Sequence, residues 1–414
     1  MKKYFRLFEE CYLINKNLCS VIYNTFSGAI YMISAGEARF LTQLENNIPI
    51  LQAIKNADIT YSLAEEKLKL YQENNLGTYF DQPIYIAKVA PDYSYFEYTF
   101  FKVPPVVNRA IISLSNICDN NCYHCNSNKY INVLQCLTCT GKEKNISLEN
   151  IDYCTLKLTL ENLKKLNCNT VIFKIPSMRN NSYKFDRIFK LTRSLGFEHI
   201  QALIGSGIHT ETLLTLLKNR ITPIFQEVIV SENNCEKVFS KIDALLEKGI
   251  ASNMSLIILL NMELNIDSII KQLNRIPNHI KVHIDYVLEK SKHLDSYFNS
   301  RFNYIKQIPS VDIRAYSLNA TYNSCLYGTV YINQKGDIFP CPGLLDFKLG
   351  NVRNFNNIFN GEANINIQYF WKFNHSQISK CKDCGLQFAC VDCRSFEYQL
   401  GKNIKEMVSC QKFI

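Results

Sequence analysis

Short apolar runs alternate with amphipathic segments between residues 110 and 288. Six runs have the length and residue types of buried strands: AIISLS from 110, TVIFKI from 170, EHIQALI from 198, PIFQEVIV from 223, SLIILL from 255 and KVHIDYVL from 281. The segments between them have helical apolar spacing, and two of them end at Gly196 and Gly249. Six β/α units with right-handed crossovers predict an α/β fold, a parallel sheet curled into a partial (β/α)6 TIM-like barrel.

The first 95 residues follow another pattern. Two alternating segments flank Ser27 and Gly28 in SVIYNTFSGAIYMIS, which predicts a β-hairpin. Ser34 and Glu37 have the spacing of a capping box at the start of a helix, and a further helix is predicted over about 61–73. We therefore divide the chain into a small α+β domain, a barrel and a cysteine-rich region, at residues 1–95, 105–300 and 315–414.

Composition favours a cytoplasmic globular protein. The chain has 414 residues, of which 47% are hydrophobic and 20% charged, so it can bury a large core. Glu9 and Glu10 interrupt the N-terminal segment where a signal peptide needs apolar residues, and the run Leu256–Leu260 is too short to cross a membrane. The net charge of +9 is spread without a long basic block, so we expect no nucleic-acid partner, whereas a peptide partner fits.

The chain contains seventeen cysteines. Without a secretion signal they indicate reduced thiols rather than disulfides. Seven of them lie near the C-terminus and include a C-x2-C-x5-C-x2-C run: Cys325, Cys341, Cys381, Cys384, Cys390, Cys393 and Cys410. Short C-x2-C steps let two thiolates reach one metal site from one turn, which predicts iron–sulfur ligation, with zinc as the alternative.

A second cysteine motif follows the first predicted strand of the barrel. Cys118, Cys122 and Cys125 have C-x3-C-x2-C spacing, and three thiolates on one loop can hold three irons of a [4Fe–4S] cluster and leave the fourth open. Cys136 and Cys139 lie shortly after them. Together with Cys122 and Cys125 they form C-x2-C-x10-C-x2-C, so a closed four-thiolate zinc site is the alternative.

The C-x3-C-x2-C loop resembles that of the radical S-adenosylmethionine enzymes. The resemblance implies that the open iron chelates S-adenosylmethionine and that its reductive cleavage yields a 5′-deoxyadenosyl radical. Ser206, Gly207 and Ser231 stand where the resemblance implies contacts with this cofactor. The chain departs from the family after the second strand, where residues 174–177 read KIPS instead of a Gly-Gly-Glu motif. No catalytic residue is identified from the sequence.

The C-terminal cysteines resemble the SPASM domain, the auxiliary-cluster module of radical S-adenosylmethionine peptide maturases. The resemblance implies that Cys325, Cys341 and Cys393 hold a first auxiliary cluster, with one iron able to meet substrate. It implies that the second cluster is held by Cys381, Cys384, Cys390 and Cys410. Together with the first loop, up to three [4Fe–4S] clusters are expected.

The segments YNSCLYGTVYINQKGDIFPCPGLLDFKLGNVRN, CKDCGLQFACVDCRSF and YFRLFEECYLINK resemble the SPASM maturases of grasp-with-spasm systems. This resemblance implies a ribosomally made precursor peptide as substrate and an ATP-grasp ligase as partner. The N-terminal domain is similar to winged-helix domains that bind leader peptides by strand addition. The alternative for this domain is a cap that only packs on its neighbour.

Two functions follow from these resemblances. The first is radical modification of a precursor peptide, by a crosslink or thioether that the chain does not specify. The second is a catalytically degenerate scaffold, bearing clusters or zinc, that binds and presents the peptide. The remaining lone cysteines are predicted to pack in the core rather than to bind metal: Cys11, Cys19, Cys154, Cys168 and Cys235.

Overall fold

The structure is a computed structural model. It describes residues 3–89, 107–115, 130–132, 136, 150–175, 182–204, 210–229, 231–247, 254–261, 263–264, 266–289, 310–359 and 366–410. None of the helices in these ranges is long and apolar enough to span a membrane.

The N-terminal part combines two small antiparallel sheets with three helices. Its strands are β1 (Tyr4–Leu7), β2 (Cys11–Ile14), β3 (Ser20–Asn24), β4 (Ala29–Ile33) and β5 (Gly77–Phe80). Strand β1 pairs with β5, while β2, β3 and β4 form a meander with β3 in the centre. The helices are α1 (Ala35–Glu45), α2 (Ile50–Ala57) and α3 (Tyr61–Glu73).

The predicted hairpin and helix starts are confirmed in this part. Strands β3 and β4 flank Gly28, whose φ of 77° lies in the left-handed region that glycine adopts without strain. Ser34 and Glu37 form both bonds of the capping box at the start of α1. The helix predicted over 61–73 is α3.

The central part alternates strands and helices. The strands are β6 (Arg109–Ser113), β7 (Tyr130–Asn132), β8 (Thr170–Ile175), β9 (His199–Ile204), β10 (Thr222–Ile229), β11 (Ser255–Asn261) and β12 (Lys281–Glu289). The helices are α4 (Tyr153–Lys165), α5 (Ser182–Ser194), α6 (Thr210–Lys218), α7 (Glu232–Glu247) and α8 (Ile266–Leu273). All six predicted strands are present, and they pair in parallel in chain order from β6 through β8 to β12.

The C-terminal part extends the same sheet. Its elements are α9 (Ile313–Thr321), β13 (Thr329–Ile332), β14 (Asp337–Phe339), β15 (Gly350–Asn351), α10 (Phe355–Phe359), α11 (Ile367–Trp371) and α12 (Arg394–Gly401). Strand β13 pairs in parallel with β6, and β14 and β15 follow it antiparallel. Strand β7 lies antiparallel to β12 at the opposite edge, so ten of the described strands form one sheet.

The two faces of this sheet carry separate cores. Ala110, Ile112, Val171 and Phe173 belong to the face that is covered by the helices. Side chains alternate along a strand, so Ile111 and Ile172 point to the opposite face. That face also carries buried Ser113 and Lys174, in addition to its apolar residues. A parallel sheet buried on both faces explains why its strands read as nearly continuous apolar runs.

A separate apolar cluster joins the N-terminal and C-terminal parts. Val21 and Tyr23 of β3 pack with Tyr316 of α9 and with Leu386. The Tyr23 hydroxyl donates a 2.8 Å hydrogen bond to the Gly385 carbonyl. The N-terminal part is therefore docked on the cysteine-rich region through buried aromatic contacts.

Candidate metal centres

The seven C-terminal cysteines gather in two groups. Cys325, Cys341 and Cys393 lie together in the first group, which also includes Cys136. The second group contains Cys381, Cys384, Cys390 and Cys410. No disulfide joins any of the cysteines in the described ranges. The cysteines of the first loop, Cys118, Cys122 and Cys125, and Cys139 lie outside the described residues.

The first group is built where β13, β14 and α12 meet. Cys325 precedes β13 and is held by a turn in which the Asn323 side chain accepts its backbone N–H at 3.0 Å. Cys341 follows β14, and Cys393 is the N-cap residue of α12. Because β13 is paired to β6, this group is fixed directly to the parallel sheet.

The thiols of Cys325 and Cys393 form a coupled pair. Their hydrogen bond lowers the pKa of Cys393 and raises that of Cys325, so Cys393 ionises first. Burial raises the pKa of Cys341 to about 12, and the charge of Cys393 adds to this effect. Burial also raises the pKa of Cys136. Without a positive ion, most of these thiols would therefore stay protonated.

The second group is built on short helical turns. Cys381 starts one such turn, and the Cys384 N–H donates to the Cys381 carbonyl at 3.0 Å. The next turn ends at Cys390, whose backbone N–H donates a 3.0 Å hydrogen bond to the Leu386 carbonyl. Burial and the nearby Cys390 raise the pKa of Cys381. Tight turns of this kind bring thiols separated by C-x2-C and C-x5-C spacing to one place.

A buried charge network borders the second group. His375 Nε2 lies 2.9 Å from Asp392 Oδ1, and Asp392 also pairs with Arg394. Burial disfavours a charged imidazole, but contacts with Asp392 and Cys390 outweigh it and raise the pKa of His375 to about 9. The Arg394 guanidinium also donates to the carbonyls of Ile404, at 2.9 Å, and Glu406, at 3.1 Å. Polar groups beside cluster sulfurs tune reduction potential, so this network would affect the potential of any cluster that the second group holds.

A fifth cysteine meets the second group from the N-terminal part. The Sγ atoms of Cys19 and Cys384 are 3.6 Å apart, and the two residues form a parallel β-bridge. The Gly385 N–H donates to the Cys19 carbonyl at 3.0 Å. A Cβ at Gly385 would stand 2.7 Å from that carbonyl oxygen, so the approach needs glycine.

The prediction that Cys19 only packs in the core missed this contact. Cys19 lies far from any other cysteine in sequence, so its spacing gave no signal. Among the other lone cysteines, burial is confirmed for Cys11, Cys168 and Cys235. Cys154 is exposed, so its predicted packing role is wrong.

The two groups offer the sulfur donors that an iron–sulfur cluster or zinc binds. Within the described part of the chain, no three Cys, His, Asp or Glu side chains stand close enough to hold one metal ion. A [4Fe–4S] cluster binds each thiolate through a different iron, so its ligands stand farther apart than four thiolates on one zinc. All-sulfur donors in a desolvated setting match both an iron–sulfur cluster and zinc.

The predicted cofactor contacts are only partly within the described residues. Ser206 and Gly207 lie outside them, whereas Ser231 is exposed just before α7. Its hydroxyl accepts the Asn234 N–H at 3.3 Å, as a helix-capping serine does. Lys174, the first residue of KIPS, is buried at the end of β8. The role of Ser231 toward a ribose remains a prediction.

Part of the C-terminal region matches a known family. Residues 324–385 match the model of SPASM, an iron-sulfur cluster-binding domain. The matched stretch contains Cys325, Cys341, Cys381 and Cys384, and it ends before the other three C-terminal cysteines. It covers both strands that carry the first group and the turn that starts the second. No curated protein matches the chain.

Several solved structures are distantly similar. SuiB of Streptococcus suis bound to the precursor peptide SuiA is 12% identical, covering 98% of this chain and 100% of that one, with a TM-score of 0.39. Native anSMEcpe with bound AdoMet and Cp18Cys peptide is 13% identical, covering 73% of this chain and 93% of that one, with a TM-score of 0.48. Because both measures are low, these similarities establish no function for this chain.

Proposed function

We propose that the protein is a radical S-adenosylmethionine enzyme of the cytoplasm that modifies a ribosomally synthesised precursor peptide. The observation that carries the proposal is the gathering of the C-terminal cysteines into two buried groups within a region that matches an iron–sulfur family. Cys325 of the first group precedes β13, which pairs in parallel with β6. The C-x3-C-x2-C motif follows β6 in the sequence.

Three sites would hold [4Fe–4S] clusters. Cys118, Cys122 and Cys125 would bind the cluster that, when loaded, supplies the electron for reductive cleavage of S-adenosylmethionine. The first and second C-terminal groups would hold two auxiliary clusters. Strand β6 ends at Ser113, at the carboxyl edge of the parallel strands, which is where enzymes with this sheet arrangement place their reacting groups.

The described residues at that edge provide a polar lining. Ser113 at the end of β6 accepts a 2.7 Å hydrogen bond from the Gln334 side chain, which comes from the loop after β13. Buried Lys174 lies one strand away and begins the KIPS segment, which lacks the carboxylate that the family resemblance implies for the methionine amino group. Because that carboxylate is missing, we propose that the cluster itself provides most of the cofactor affinity. Loss of one charge-assisted hydrogen bond, about 1.5–3 kcal/mol, weakens binding without abolishing it.

The N-terminal part would recognise the leader of the precursor by strand addition. Among the described strands, β4 is an edge of the β2–β3–β4 meander, and an extended peptide can pair with such an edge. The exposed Met32 side chain lies on this strand. We also propose an ATP-grasp ligase as partner, which predicts that a short precursor gene and a ligase gene adjoin this one.

Cleavage of S-adenosylmethionine is the test of the proposed activity. Reduced, anaerobically reconstituted protein with excess S-adenosylmethionine should release 5′-deoxyadenosine, and release should be faster with the precursor peptide. Cys122→Ala should eliminate the product, whereas Cys154→Ala, at an exposed cysteine, should not. Release no greater than in Cys122→Ala, with peptide present and all clusters verified, would instead identify a scaffold that presents the peptide.

The test of leader binding uses a substitution rather than a deletion of the N-terminal part. Strand β3 packs on the cysteine-rich region, so a deletion would also disturb that region. In an edge strand alternate N–H groups point toward the neighbouring strand and outward. Of the adjacent variants Tyr31→Pro and Met32→Pro, one should therefore keep thermal stability and lose peptide affinity. The other should lose stability as well. Unchanged affinity in both would assign the N-terminal part a packing role only.

A further inference from the structure

We propose that Cys136 is the fourth thiolate ligand of the first C-terminal group, together with Cys325, Cys341 and Cys393. This inference rests on the proposed function, in which that group holds a [4Fe–4S] cluster. It replaces the expectation from sequence that one iron of this cluster is open to substrate. The ligand would come from the barrel segment, more than 180 residues before Cys325 in the chain.

The path of the chain brings Cys136 to Cys393. Strand β7 pairs antiparallel with β12, with Asn132 opposite Val287. The same strand contacts α12, whose N-cap residue is Cys393. Cys136 follows β7 by four residues in sequence, and its thiol lies within electrostatic range of Cys393.

Packing brings the same residue to Cys341. The partly buried Cys136 side chain packs on the apolar cluster of the sheet face opposite the helices. Phe339 and Leu345, on either side of Cys341 in sequence, belong to that packing. Cys136 is also within electrostatic range of all three other thiols of the group. Strand pairing and core packing therefore converge on one position for this thiol.

The charges around Cys136 suit a fully ligated cluster. A [4Fe–4S] cluster with four thiolates carries net negative charge, which a desolvated site must balance. Arg109 and Lys174 both act on Cys136 with their positive charges. Arg109 is held in place by a 3.1 Å hydrogen bond to the Thr329 hydroxyl, at the start of β13. Both cations come from strands of the parallel sheet, Arg109 from β6 and Lys174 from β8.

If Cys136 completes the first group, every iron of its cluster has a thiolate ligand. Two consequences follow. The zinc site considered for Cys122, Cys125, Cys136 and Cys139 loses one of its four ligands. Substrate also cannot coordinate an iron of this cluster without displacing a thiolate. The peptide would then be held by protein side chains, and the cluster would act in electron transfer or in fixing the region to the sheet.

The test uses the full chain with Cys118, Cys122 and Cys125 replaced by Ala, so that iron reports only on the C-terminal groups. This parent should bind about eight irons. Adding Cys136→Ala should open one iron: cyanide should shift the electron paramagnetic resonance signal of half the clusters, and mild oxidation should yield a [3Fe–4S] signal. Neither change should occur in the parent or in the matched variant Cys154→Ala.

A rescue experiment separates ligation from a folding defect. In Cys136→Gly, added 2-mercaptoethanol should occupy the open iron and abolish the cyanide shift. If Cys136→Ala and Cys136→Gly respond to cyanide exactly as Cys154→Ala does, with about eight irons bound, the inference is wrong and the proposed function stands. If the parent folds but binds no iron, the proposed function fails as well.

Discussion

The two C-terminal cysteine groups differ in what they are attached to. The first is fixed to the parallel sheet through the pairing of β13 with β6, and Cys136 of the barrel segment lies beside it. The second is fixed to the N-terminal part, because Cys19 meets Cys384 with their Sγ atoms 3.6 Å apart. The first group is therefore in contact with the barrel. The second group is in contact with the part that we propose binds the leader peptide.

The groups also differ in their reserve of thiols. The first group has four thiols, counting Cys136. The second has five thiols, counting Cys19. Cys393→Ala should leave the first cluster one ligand short, so a chelator should remove at least one iron. Cys384→Ala should leave four thiols, including Cys19, and retain its iron. Iron per chain after chelation, in protein lacking the first-loop cysteines, measures this difference.

The double variant Cys19→Ser with Cys384→Ala provides the control for that prediction. It should lose iron as Cys393→Ala does, because the spare thiol is gone. Cys154→Ala should lose none, since its side chain is exposed. Equal iron loss from Cys384→Ala and Cys393→Ala would show that Cys19 cannot serve as a ligand.

Arg394 is expected to have the largest single effect on stability. Its guanidinium is fully buried and pairs with Asp392, which lies between Cys390 and Cys393. Arg394→Ala would leave a buried carboxylate short of a partner, so the free energy of unfolding should fall by about 3–5 kcal/mol. Anaerobic chemical denaturation measures it, with the exposed Arg353→Ala as control. A loss in the free energy of unfolding no larger than in Arg353→Ala would show that the network around Arg394 does not stabilise the fold.

Tyr23 tests the contact between the N-terminal part and the second group. Tyr23→Phe removes the hydroxyl that donates to the Gly385 carbonyl, at a cost of about 1–3 kcal/mol if the carbonyl stays unpaired. Hydrogen exchange should speed up in β3 and around 385–389, but not in β8. Tyr61→Phe, at an exposed tyrosine, should leave exchange unchanged. Exchange that rises throughout the chain would indicate general destabilisation rather than undocking.

The smallest effect is expected at the capping box of α1. Ser34→Ala removes the hydroxyl that accepts the Glu37 N–H, at a cost of about 1 kcal/mol. The change should raise hydrogen exchange in the first turn of α1 and leave iron content unaltered. Ser62→Ala, inside α3 and exposed, should change exchange by much less. An effect of Ser34→Ala on bound iron would contradict the separation of this helix from both groups.

Local features were predictable from sequence, and long-range contacts were not. The strands from TVIFKI and SLIILL were recognisable because parallel strands buried on both faces are continuously apolar. The parallel pairing of β13 with β6 joins residues about 220 apart, and no periodicity encodes it. The C-x2-C spacing of Cys136 and Cys139 gave no indication that Cys136 lies near Cys325, Cys341 and Cys393.

Metal content tests the central claim, that these cysteines hold iron–sulfur clusters, most directly. Full-length protein from anaerobic, iron-replete expression should contain about twelve irons per chain, matching sulfide, broad visible absorbance and little zinc. Fully folded protein that contains zinc and no iron under the same conditions would contradict the claim.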